Sequence, residues 1–259
     1  QEMTMEGFPI PLDSDPEDPE VQAQVQAWLD ETVGGEDRTL LGAEQFDFVI
    51  RTLEQSVAAG KPWRIFANQV LMGSATAPDY TRETPFWLRW GMRIAGGDIW
   101  DFARQTQFGV PMTLDTWDGF PAERERLFEA ARNANADFIV LTGDSHNFWT
   151  VDLKTEAGER VGVEFGVTSV TSPSDYEFVN APSVDFGQMT LQANPHILHH
   201  SVYAKGFVLL TLTPDEAIAD FVTVSTIKDT AFEAGIDSRW RVTPASGGAV
   251  PAVERLLGA

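Results

Sequence analysis

The residues best suited to chemistry stand in one short stretch, Leu141-Thr142-Gly143-Asp144-Ser145-His146. If the backbone there is extended, Asp144 and His146 point to the same side, because strand side chains alternate with period two. A carboxylate oxygen and an imidazole nitrogen converging on one point is metal-ligand chemistry. Gly143 lets the chain turn sharply at that place. Spacing alone leaves a duller reading open as well, a turn-capping carboxylate beside a solvated histidine. The other three of the four histidines, His196, His199 and His200, lie close together in Asn194-Pro195-His196-Ile197-Leu198-His199-His200. His199 and His200 are adjacent and so face different sides, and His196 is the one kept as a candidate site residue.

Something must hold these groups. Phe138-Ile139-Val140-Leu141 is an apolar run bounded by Ala136-Asp137 and Thr142-Gly143-Asp144. It predicts a short strand buried on both faces, with Asp144 and His146 just past its C-terminal end. In layered α/β folds that edge gathers ligands, since loops leaving it are exposed while their starts are fixed by the sheet. Residues 63–71 also have strand character, with the amides Asn68 and Gln69 near its far end. Pro121 is placed to start a helix running to about Asn133. Earlier helices are predicted over 19–32, from Val21, Val25 and Trp28, and over 38–58, from the stripe Phe46, Val49, Ile50, Leu53 and Val57.

From 72 to 112 the periodicity dissolves, and the cluster Pro85-Phe86-Trp87-Leu88-Arg89-Trp90 reads as packing or a chain interface. After Trp149 the texture turns towards β. A hairpin is expected over 152–163 around Ala157-Gly158, a strand over 165–170, and a closing pair over 206–212 and 218–227. The stretch 194–200 reads as loop. Residues 1–37 are an acidic, Pro-rich arm with a short helix and no core of its own, 38–230 the main body, and 231–259 a peripheral tail.

Composition narrows the partners. With 259 residues, 43% hydrophobic, the chain can bury a core. Its 18 basic against 39 acidic residues give a net charge of -21, which repels nucleic-acid phosphates and anionic lipid heads. Acidity of this kind serves solubility in a salty or extracellular setting, or supplies oxygen ligands for Ca²⁺. There is no cysteine, hence no disulfide and no thiolate site. No apolar run approaches the ~20 residues of a membrane span. The chain begins with Gln1 rather than Met, as expected of a processed chain or a piece of a longer one.

Six blocks, in order, resemble the PhoD-like alkaline phosphatases: Arg38-Thr39-Leu40-Leu41-Gly42-Ala43-Glu44-Gln45, Ala67-Asn68-Gln69-Val70-Leu71-Met72, Trp117-Asp118-Gly119-Phe120-Pro121-Ala122-Glu123-Arg124, Leu141-Thr142-Gly143-Asp144-Ser145-His146, Val170-Thr171-Ser172-Pro173 and Asn194-Pro195-His196. The resemblance implies an α+β or α/β metallophosphatase fold, two packed sheets flanked by helices in an αββα arrangement, related to purple acid phosphatases. It implies hydrolysis of phosphate mono- and diesters with iron and calcium, in the periplasm or outside the cell. Gly143-Asp144-Ser145-His146 is similar to the Gly-His-x-His turn that gives one ligand to each of two metals, with Asp144 suited to a Ca²⁺ subsite and His146 to iron. Asn68, Gln69, Trp117, Asp118 and His196 fall where relatives contact substrate or shape the cleft. Only the second half of such an enzyme is matched, so the remaining ligands would come from a complementary N-terminal chain or segment.

Two other readings stand beside this one. Gly143-Asp144-Ser145 superficially resembles the opening of the GDSL-type serine hydrolases, but no histidine here has an Asp three residues before it. The other rival is a non-catalytic, acidic, Ca²⁺-binding partner chain derived from a phosphatase half.

Overall fold

The structure, a computed structural model, describes residues 7–244 and 253–258. In chain order it contains α1 (Pro19–Trp28), a π-helical turn (Leu29–Val33), α2 (Gly42–Ala58), β1 (Ile65–Ala67), α3 (Tyr80–Glu83), α4 (Phe86–Ala95), α5 (Gly97–Thr106), a 3-10 turn (Trp117–Gly119) and α6 (Pro121–Asn133). There follow β2 (Phe138–Thr142), β3 (Phe148–Lys154), β4 (Arg160–Gly166), α7 (Asp175–Val179), α8 (Phe186–Ala193), β5 (Ile197–Ser201), β6 (Gly206–Leu212), β7 (Ala217–Val224), β8 (Ala234–Val242) and β9 (Val253–Leu257).

The strands form two sheets, β1-β2-β4-β3-β5 and β6-β7-β8-β9. In the first, β1, β2 and β4 are parallel, and β3 runs against both β4 and β5. The C-terminal ends of β1, β2, β4 and β5 and the start of β3 therefore share one rim. Period two sorts the side chains. Ile139, Phe148, Val163 and Phe165 face the second sheet and pack on Ala217, Ala219, Phe221, Trp240 and Val242. Phe138, Val140 and Val151 face the other way, against Leu53 of α2 and Leu127, Phe128 and Ala131 of α6. The result is the expected two-sheet sandwich, with β2 buried on both faces. Among the described residues helices cover one side only, and Phe207 and Leu209 on the outer face of the second sheet are about half exposed.

Several expectations need correction. The arm does have a core: Ile10, Val25, Trp28, Val33 and Val110 are buried together, with Phe8 edge-on to Trp28 at 5.4 Å. The apolar triplet Phe8-Pro9-Ile10 was hidden among acidic neighbours. The featureless span 72–112 contains three helices. In α4, Leu88 is buried and Met92, one turn on, packs on the same cluster, while Phe86, Trp90 and Ile94 face outward, so apolar residues on both sides mask the helical stripe. The loop expected over 194–200 holds β5, whose two histidines both pack against aromatic rings. Residues 167–170, expected to continue a strand, lie beyond the end of β4. The tail is peripheral in part only. β8 is an inner strand, with Trp240 and Val242 in the sandwich core. Composition hid it, whereas the alternation in Ser238-Arg239-Trp240-Arg241-Val242 marks a strand with one polar face.

Phe221 joins the two sheets, edge-on to Phe148 at 5.0 Å and to Phe165 at 5.9 Å. Truncating it leaves a cavity between two rigid sheets. Phe221→Ala is expected to cost about 3–5 kcal/mol in denaturant unfolding, without loss of secondary structure in far-ultraviolet dichroism.

Candidate functional site

At the rim, the turn after β2 carries Asp144 and His146. The backbone there is not extended: Asp144 has φ 65° and His146 φ 57°. Both are in the left-handed region that Asp and His enter more readily than most residues, so the period-two argument for their shared direction does not apply. The chain bends tightly here, the Ser145 N–H donating to Gly143 O at 2.7 Å. Asp144 is exposed, and no hydrogen bond or ion pair engages its carboxylate among the described residues. The His146 Nδ1 lies 2.8 Å from Pro173 O. A carbonyl only accepts, so Nδ1 carries the proton and Nε2 presents a bare lone pair, the posture of a metal-ligating imidazole.

Neighbouring groups fix the turn from three sides. Thr168 donates its hydroxyl to His146 O at 2.8 Å. The Trp149 indole donates to the Ser145 hydroxyl at 2.9 Å, and the Trp149 ring is stacked on His200 at 3.5 Å. The His200 Nδ1 faces Phe148 O at 3.2 Å, so Nδ1 is again the protonated nitrogen. Burial pushes the His200 pKa down to about 3, which keeps this ring neutral beneath the turn. From the β1 side, Gly143 N–H donates to Gln69 O at 3.2 Å. Gln69 thus stands beside Gly143, with Asn68 next to it in the chain. Gln69 is exposed, its side-chain amide unengaged among the described residues, and Asn68 uses its Nδ2 on Val70 O at 2.6 Å.

The other three candidates lie elsewhere. Past Gln69 the chain leaves the rim and crosses the helix-side face of the sheet as an irregular, largely buried segment, 70–77. Trp117 is fully buried and donates its backbone N–H to Leu71 O at 3.2 Å. Asp118 accepts from Ala75 N–H at 2.8 Å and from Arg124 at 2.6 Å, and the same Arg124 nitrogen reaches Met72 O at 3.2 Å. Both carboxylate oxygens are spent on the scaffold, and neither residue reaches a cleft wall. His196 precedes β5, which is parallel to β2, so it sits towards the opposite rim. Its Nε2 donates to Ser74 O at 2.8 Å. Sequence reasoning missed Glu164, Trp149, Thr168 and the role of His200. Glu164 carried a signal, a charged residue between Val163 and Phe165 in a buried strand; the Trp149–His200 stack required the β3–β5 register.

The rim supplies two good metal donors, Asp144 and His146. Among the described residues no group of three or more His, Cys, Asp or Glu is placed to hold a metal ion. The donor set fits part of a two-metal site and does not complete one. Because Asp118 and Arg124 are a nearly buried pair, removing one partner strands the other. Asp118→Ala is expected to lower stability by about 3–5 kcal/mol, measured by denaturant unfolding.

Residues 13–221 match the PhoD-like phosphatase family, a match that begins inside the acidic arm. Over 189 residues the chain is 30% identical to alkaline phosphatase D of Bacillus subtilis (strain 168), covering 71% of this chain and 26% of that protein. It therefore spans about a quarter of the length of that curated relative. A solved structure titled "Structure of PhoD" superposes with a TM-score of 0.60 over 86% of this chain and 36% of its own, at 22% identity, a likeness of fold. With four-fifths of its length inside the family match, this chain belongs to the PhoD-like phosphatase family.

Proposed function

We propose that this chain is the C-terminal portion of a metal-dependent phosphoesterase acting on phosphate mono- and diesters, with Asp144 and His146 each giving a ligand. The observation that carries the reading is the state of those two groups at the rim: a carboxylate with no partner among the described residues and, two residues on, an imidazole whose Nδ1–H is tied to Pro173 O. Cations held there, calcium and iron by family resemblance, would supply Lewis acidity towards a phosphate ester. Asp144 contributes negative charge and hard oxygen, suited to calcium. His146 contributes a nitrogen lone pair aimed by its carbonyl contact, suited to iron. The Gln69 amide can donate hydrogen bonds to phosphate oxygens, and Asn68, held by its contact to Val70 O, places Gln69 next to Gly143.

Two ligands are too few, and we assign the rest to a complementary N-terminal chain or segment of the same enzyme. Three features support it. The chain spans 26% of its Bacillus relative. β1 is a three-residue parallel strand at the sheet's edge, and parallel strands are normally covered. Phe86, Trp87, Trp90 and Ile94 of α4 stand exposed together, the kind of patch that marks an interface. The net charge of -21 and the family suit a periplasmic or secreted location. No helix among the described residues is long and apolar enough to cross a membrane.

The second reading, an acidic Ca²⁺-binding partner chain without catalysis, draws on the same shortage of ligands. Elemental analysis by plasma mass spectrometry, intact mass of every polypeptide in the native material and a p-nitrophenyl phosphate assay separate the two. Near-stoichiometric iron and calcium with turnover support the enzyme; calcium alone without turnover supports the partner chain. In the assembled enzyme, Asp144→Ala and His146→Ala are each expected to lower turnover more than ~100-fold and reduce bound metal, beyond the 10–100-fold typical of outer-shell changes. Full activity in either variant, with an unchanged dichroism spectrum, would refute the assignment.

A further inference from the structure

Glu164 lies in β4 between Val140 of β2 and Val151 of β3, and it is fully buried. It points to the helix side, away from the sandwich core, as the alternation with Val163 and Phe165 requires. Its Oε1 accepts from the Met72 N–H and its Oε2 from the Gly73 N–H, each at 2.7 Å. The backbone can come down onto the carboxylate only because residue 73 is glycine. A Cβ there would stand 2.5 Å from Val151 Cγ1 and 3.1 Å from Glu164 Oε2. Three residues before Met72, Gln69 O accepts from Gly143 N–H at 3.2 Å, at the base of the turn bearing Asp144 and His146.

We propose that Glu164 is a positioning residue for the rim. Its ionised carboxylate grips two successive amides of segment 70–77, and through Gln69 that grip sets the turn carrying Asp144 and His146. The importance of the rim rests on the phosphoesterase reading; the grip itself does not. A carboxylate accepts at both oxygens, whereas the neutral acid converts one of them into an O–H, so one of the two amides loses its full acceptor on protonation. Burial, only partly offset by the two amide bonds, pushes the Glu164 pKa up to about 7. The sign follows. Above that pH the carboxylate is ionised and holds both amides, and as pH falls through it the hold weakens.

Other charged groups face the same segment. Arg124 of α6 and Asp118 hold Met72 O and the Ala75 N–H, His196 holds Ser74 O, and the Asp152–Lys154 pair of β3 lines the cavity beside Gly73. His196→Gln is the control for the contribution of the imidazole on Ser74 O.

The test is a nuclear magnetic resonance titration of the whole chain from pH 5 to 9, following the amides of Met72, Gly73 and Gly143 and the side-chain carboxyl carbon of Glu164. One shared midpoint near 7 is expected in the wild type and in His196→Gln, and none in Glu164→Gln. Flat Met72 and Gly73 amides, a Glu164 carboxyl that titrates in the ordinary carboxylate range, or a titration that survives in Glu164→Gln would each overturn the proposal. Should Glu164→Gln fail to fold, the wild-type and His196→Gln titrations decide it alone. In the assembled enzyme, Glu164→Gln is expected to lower kcat about tenfold with little change in KM, and to remove the limb of the pH–rate profile near 7; an unchanged limb would overturn the link to the rim. A shared titration in a chain that hydrolyses no phosphate ester would leave the grip standing and sink only the phosphoesterase reading.

Discussion

The constraint on which this structure depends is the burial of an irregular segment. Residues 70–77 run across the face of a sheet and under helices, where water cannot serve their backbone groups, yet they belong to no helix or strand. Each unpaired group there would cost about 1–3 kcal/mol. Side chains, most of them from distant parts of the chain, meet the demand. Asn68 takes Val70 O, Glu164 takes Met72 N–H and Gly73 N–H, Arg124 takes Met72 O and His196 takes Ser74 O. Asp118 takes Ala75 N–H, and Asn194 takes both polar groups of Thr76. Buried charges and amides, which elsewhere would be expensive, are tolerated because each has a fixed partner.

That arrangement explains why three of the recognisable sequence blocks meet behind the rim. Ala67-Asn68-Gln69-Val70-Leu71-Met72 enters the segment, Trp117-Asp118 and Arg124 brace it, and Asn194-Pro195-His196 closes it. The residues reaching the rim are few: the end of the first of these blocks, the turn after β2, and Pro173, which orients His146. A rim of exposed polar groups can be held accurately only if its starting points do not move. The buried segment and the Trp149–His200 stack hold it from beneath.

Local pattern made some of this legible. The run from Phe138 to Leu141 reads as a strand because both of its faces are apolar, and the helix from Pro121 to Asn133 is announced by its proline. The turn at Gly143 was legible in composition and not in conformation, since nothing in Asp144-Ser145-His146 announces two left-handed residues. The resemblance assigns Trp117, Asp118 and His196 to the substrate side, whereas their hydrogen-bond partners in the fold include Leu71, Ala75 and Ser74, 43 to 122 positions away in sequence and beyond the reach of any local period. Pairing across such distances is a property of the sheet order, and so is the separation of His196 from His146 at opposite rims.

The same sheet order bears on why the rim stops at two metal donors. In a parallel sheet each strand delivers its following loop to the same edge, so a site grows by adding strands side by side. Here the order ends at β1, whose outer edge has no pairing strand among the described residues and whose Ile65 is 39% exposed. Beside it, the stripe of α2 that packs on this core is half-buried, with only Leu53 fully covered. On the phosphoesterase reading proposed above, an apolar core left open at the strand next to Asn68 and Gln69 and a ligand set left short at the same end of the rim are one geometric condition. A strand placed along β1 would then cover the first and bring a loop to the second, so one polypeptide segment would supply both the further ligands and the cover.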